Sequence, residues 1–153
     1  MWNNRKSILL SIVCTGAAIL LVVLFAALMP LFPRLAPADG SILFDPAYLK
    51  KAMPTFYACC LPALVALLCL LRMLIDIRRG NVFVKANVSR LRVISWCFFA
   101  LFVILILTAV FRITSPAIIL VAIASGFFFL LIRVVKNVID AARELREEHD
   151  FTI

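Results

Sequence analysis

Hydrophobic and polar positions alternate in long blocks along this chain, not residue by residue. Four nearly uninterrupted apolar runs stand out, over residues 8–29, 53–71, 93–111 and 116–132. At 1.5 Å per residue, each crosses, or nearly crosses, a hydrocarbon layer of about 30 Å as an α-helix. Strands of a membrane barrel are shorter and alternate apolar with polar residues, and these runs do neither. The pattern predicts an all-α polytopic membrane protein. Its four transmembrane helices form two antiparallel hairpins, the second closed by the short connection "RITS". Pro62 is placed to kink the second helix, whereas Pro116 suits the first turn of the fourth, where a missing N–H does no harm.

The polar segments continue some of these helices. The second helix is expected to run on through "RMLIDIRRG", with Arg78 and Arg79 favouring a helix C-terminus and Gly80 supplying the left-handed residue that ends it. "NVFVKAN" then turns the chain, and Asn87 is expected to cap a short amphipathic lead-in bearing Val88, Leu91 and Ile94. Lys85, Arg90 and Arg92 are long enough to reach lipid phosphates. The fourth helix is expected to extend over residues 133–148. There Val135, Val138, Ala142 and Leu145 form a narrow apolar seam, and Leu74 and Ile77 of the second helix are its expected partners. "LIDIRR" and "VIDAAR" are alike, which hints at a two-hairpin repeat with Asp76 and Asp140 in comparable places. Between the first two helices, four prolines over residues 30–52 argue against one continuous helix. "DPAYLKKA" reads as a short helical turn, capped by Asp45 and opened by Pro46.

Composition agrees with lipid as the solvent. The 153 residues are 65% hydrophobic, the mean hydropathy is +1.13, and one domain over residues 1–153 accounts for the length. The first apolar run spans 22 residues, longer than the core of a secretory signal, so it reads as a retained helix. Of the sixteen Lys and Arg residues, twelve fall at the N-terminus, between the second and third runs, or after the fourth. This asymmetry predicts that both termini and the segment around Gly80 lie in the cytoplasm, in a multi-pass protein of the plasma membrane. The net charge of +8 then reflects topology and contact with anionic lipid headgroups. No basic, aromatic-interleaved soluble module is present, and direct nucleic-acid binding is not expected.

Chemistry-bearing residues are sparse. Five cysteines all lie in apolar runs, where reduced cysteine packs as a small hydrophobe. Cys14, Cys69 and Cys97 lie at similar depth on three helices, so a thiolate metal or redox site is the alternative reading for them. His149, the single histidine, lies in the contiguous run "REEHD", whose side chains fan out around a helix end instead of converging on a metal. No Asp, Glu, Lys or Arg falls within the four apolar runs, which argues against ion-coupled transport. Nor is there a catalytic pairing of the kinds that hydrolyse bonds within membranes. Neither an enzyme nor a cofactor is expected. Ala122 and Gly126, four residues apart, permit close helix contact, within the chain more readily than in a dimer.

Two segments carry a resemblance. "IRRGNVFVKANVSRLR" leads directly into a membrane helix, and "LREEHDFTI" ends the chain. Together they resemble the YoaS-like bacterial membrane proteins, a family of unknown function numbered 2975. Gly80, Phe83, Asn87, Arg90 and Leu91 match its first motif; Glu147, Glu148, Asp150, Thr152 and Ile153 match its second. The departures are Val84, where the family carries a Ser or Thr cap, His149 for Asn and Phe151 for Leu. The resemblance implies a four-helix membrane protein whose relatives are often neighbours of small helix-turn-helix regulators. The expected function is therefore a non-enzymatic inner-membrane protein that binds a cytoplasmic partner such as a regulator of that type. Its interaction face would comprise Arg78, Arg79, Gly80, Phe83, Asn87, Arg90 and Arg92 with Glu147, Glu148, Asp150, Phe151, Thr152 and Ile153. A small transporter or channel subunit is the alternative.

Overall fold

The computed structural model describes the backbone over residues 4–31, 46–79, 85–111 and 115–150, and side chains over 7–31, 50–79, 86–111 and 115–145. All regular structure among the described residues is helical. Helix α1 spans Asn4–Leu28 and ends in a 3-10 turn at Met29–Leu31; α2 spans Pro46–Arg78, α3 Lys85–Phe111 and α4 Pro116–Asp150. All four are long and apolar enough to cross a membrane.

Three of the helices outrun the apolar runs. The segment "DPAYLKKA" does not form a turn of its own. Pro46 opens α2, which stays one helix through Pro54 and Pro62 to Arg78. A proline in the first turn forfeits no intrahelical bond, so the polar stretch from Pro46 is a helix start and not a connector. Asp45 lies outside the described residues. At its far end α2 closes with the Arg79 amide donating to the carbonyls of Ile75 (3.2 Å) and Asp76 (3.1 Å).

The Asn87 cap is overturned. Helix α3 begins at Lys85, one residue beyond the position where the resemblance expects a Ser or Thr, and Asn87 sits buried inside its first turn. Val88, Leu91 and Ile94 are buried along one face, as their spacing predicts. They therefore belong to α3 itself and not to a separate lead-in.

Helices pack in chain order. Contact is most extensive between α3 and α4, then between α2 and α3, then between α1 and α2. Facing residues at two levels run in opposite order: Phe102 lies against Gly126 while Arg92 shares a cavity with Arg133 in α3–α4, and Thr55 meets Thr108 while Asp76 meets Arg90 in α2–α3. Between α1 and α2, Tyr57 donates to the Ala26 carbonyl at 3.0 Å. The α3 segment is the most enclosed of the four. A small cluster of Ala66, Ile94 and Cys97 marks the α2–α3 core, with Cys69, Leu70, Phe98 and Ile132 packed against it. Large apolar side chains cover the outside, among them Leu20, Leu61, Val110, Phe111 and Leu120. Such a surface is unfavourable in water and ordinary in lipid.

Close approach of α3 and α4 depends on small residues. Ala122 has no exposed surface. At Gly126 a Cβ would stand 3.1 and 3.2 Å from two carbons of the Phe102 ring. The Ala122–Gly126 pair therefore serves packing within the chain.

Candidate interaction face at the basic end

One end of the molecule gathers the start of α1, the end of α2, the start of α3 and the latter part of α4, and with them most of the cationic residues. Hydrophobic registration sets this arrangement, because the antiparallel contacts bring Arg90 beside Asp76 and Arg92 beside Arg133.

The α2–α3 junction is fixed by an ion pair. Arg90 Nη1 donates to Asp76 Oδ2 and also, at 3.0 Å, to Asn87 Oδ1. Asp76 and Arg90 side chains are each 26% exposed, so their attraction is less screened than that of a surface pair. Arg90 is thus committed inward and is not a free arm for lipid phosphate. Asn87 works with it from the same turn of α3. Arg78, Arg79 and Arg92 remain exposed. Gly80 and Phe83 lie outside the described residues, as do the side chains of Glu147, Glu148 and Asp150 and all of Phe151, Thr152 and Ile153.

The expected repeat does not extend to the carboxylates. Asp76 bridges two helices, whereas Asp140 lies near Lys136 (4.0 Å) and Arg143 (3.9 Å) of its own helix.

Nor does the apolar seam of α4 lie against α2. These helices are not among the extensively packed pairs. Val135, Val138 and Leu145 are exposed, the last two by 63% and 65%. The reason is geometric. Helix α3 lies between α2 and α4, and its nearer face takes the α4 contacts. The 35 residues of α4 measure about 50 Å, roughly 20 Å more than a hydrocarbon layer requires. Val138 and Leu145 therefore lie beyond the length of helix that such a layer takes up, with their apolar side chains uncovered.

The three cysteines at similar depth do not converge. Cys97 is buried with Cys69 packed near it, but Cys14 is exposed on α1. No group of three or more His, Cys, Asp or Glu side chains is placed to hold a metal among the described residues.

Between α3 and α4 the sequence reading missed a concave site of about 140 Å³, lined by Arg92, Ser95, Trp96, Phe129, Arg133 and Lys136. A usable signal was present. The short α3–α4 connection sets the antiparallel register, and that register puts the cations at the start of α3 level with those after residue 132.

The match to known families covers this whole arrangement. A family model described as "Protein of unknown function (DUF2975)" matches residues 3–153. The chain belongs to the DUF2975 family. The matched residues take in all four helices and both motifs that carry the resemblance. No curated protein matches the chain, and no solved structure does.

Proposed function

We propose that this DUF2975 member is a non-enzymatic, multi-pass protein of the bacterial inner membrane that docks a cytoplasmic protein on its basic end. In this reading two hairpins leave both termini and the α2–α3 junction on the cytoplasmic side, a reading supported by the twelve basic residues at that end. The observation that carries the reading is the uncovered apolar surface of Val138 and Leu145 on the projecting part of α4. Exposed Arg78 and Arg79 stand at the same end of the molecule. An apolar strip beside cations suits an amphipathic, acidic helix of a partner. A small helix-turn-helix regulator is the partner we favour, held away from DNA while bound. Transport is the weaker reading. Thr15, Thr108 and Ser125 are buried, but each donates to a carbonyl one turn back on its own helix. None of the three is left unpaired to line a polar path.

The test is co-purification of a regulator with the full-length chain from native membranes, repeated with Val138→Glu/Leu145→Glu. The pair of substitutions should abolish the association while leaving the melting temperature in detergent unchanged. Association that survives both substitutions, or no regulator in either preparation, overturns the proposal.

A further inference from the structure

The concave site between α3 and α4 has the makings of an anion pocket. Arg92 comes from α3, and Arg133 and Lys136 come from α4 one turn apart. Lys136 Nζ lies 3.3 Å from Asn137 Oδ1 and 4.0 Å from Asp140 Oδ2. Asp140 also has Arg143 at 3.9 Å, so its charge is shared. Arg92 and Arg133 have no acidic partner among the described residues. Three cations around one cavity repel one another, and an anion seated among them removes that cost. Two guanidinium groups and an ammonium are the donor set that phosphate oxygens favour.

Depth decides what carries the phosphate. Arg92 lies nineteen residues from the end of α3 at Phe111, and Arg133 seventeen from the start of α4 at Pro116. These distances are about 29 and 26 Å along the helices, close to one hydrocarbon thickness. The pocket therefore sits at headgroup level when the α3–α4 junction is at the opposite surface. Its wall is aromatic: the Arg133 guanidinium lies 5.9 Å from the Phe129 ring centroid, Phe129 packs on Phe99 at 5.3 Å, and Phe99 packs on Trp96 at 5.7 Å. Trp96 lines the pocket and also leads an exposed apolar stripe, continued by Phe99 and Val103. A free phosphate has no use for that stripe, whereas an acyl chain lies along it.

We infer that Arg92, Arg133 and Lys136 form a specific site for the phosphodiester of an anionic phospholipid, whose acyl chains follow Trp96, Phe99 and Val103. The inference rests on the chain lying in a bilayer and is independent of any protein partner.

Trp2→Phe leaves Trp96 as the single tryptophan of the full-length chain, and its fluorescence reads the site. In nanodiscs made mostly of phosphatidylcholine, a small admixture of chain-brominated phosphatidylglycerol should quench Trp96 far more than the same admixture of brominated phosphatidylcholine. The difference should match an enrichment on the order of a hundredfold, given the attraction of about 1 kcal/mol that each of three cations near the surface contributes. Arg133→Gln should lower the enrichment several-fold, and Arg92→Gln/Arg133→Gln/Lys136→Gln should remove it. Arg72→Gln, an equal loss of charge on α2, should not change it. Equal quenching by the two lipids in the parent overturns the inference without any pocket variant having to fold. An equal loss with Arg72→Gln does so too, since it indicates diffuse surface charge. Displacement of the lipid by inorganic phosphate, but not by chloride at matched ionic strength, would assign the site to free phosphate and overturn the lipid assignment.

Discussion

Arg90 on α3 holds the carboxylate of Asp76 on α2 and the side-chain oxygen of Asn87 in one grip. The end of α2 and the start of α3 are thereby tied together. Removing either charge leaves the other partly buried and unpaired. Asp76→Asn or Arg90→Ala should each lower stability by about 1–2 kcal/mol, between the values for exposed and for buried pairs. Asp76→Asn/Arg90→Ala should cost less than the sum of the two. Thermal unfolding in detergent across this double-mutant cycle measures the coupling. Strict additivity would show that the pair contributes nothing.

Gly126 and Phe102 make a second testable contact. A Cβ at residue 126 would press on the ring at 3.1 Å. Gly126→Ala should be nearly neutral, because the gain in helix propensity offsets a small displacement of the ring. Gly126→Leu should cost about 1–3 kcal/mol through overpacking. Adding Phe102→Ala should restore part of the loss, and the melting temperatures of the three proteins decide it.

Reporter fusions test the orientation. Joined after Ser41, a reporter should read the outside; joined after Asn81 or after Ile153, the cytoplasm. The basis is the basic asymmetry along the chain. A cytoplasmic signal at Ser41 would invert the proposal.

The cysteines should act as packing residues. Cys97→Ala should lower stability by about 1 kcal/mol, because Cys97 is buried against Ala66 and Ile94. Cys14→Ala should have no effect, since Cys14 is exposed. Metal analysis of the purified parent should find less than stoichiometric zinc or iron.

Apolar runs alone locate the four helices that are long and apolar enough to cross a membrane, because a lipid-facing helix must be apolar nearly all round. Their true ends are harder to read. Pro46 to Ala52 and Lys85 to Arg92 are helical but polar, so their hydropathy does not distinguish them from loops. Arg90 shows the sharper limit. A basic residue beside a membrane helix is expected to face lipid phosphate, and only the register of α2 against α3 reveals that Asp76 turns it inward. The exposed seam on α4 has the same origin. Its spacing announces an apolar strip correctly, but spacing cannot say that α3 stands between it and α2. Arg92 and Arg133 lie forty-one residues apart and become neighbours only once the α3–α4 register is known.

The order of packing has a consequence for biogenesis. Helices leave the ribosome from α1 to α4, yet the most extensive interface is made by the last two and the least extensive by the first two. The helices made last therefore hold each other over the largest surface, with Phe102 against Gly126 within it. Of the consecutive pairs among the described residues, α1 and α2 share the least contact, so α1 is the helix that the rest of the chain holds least.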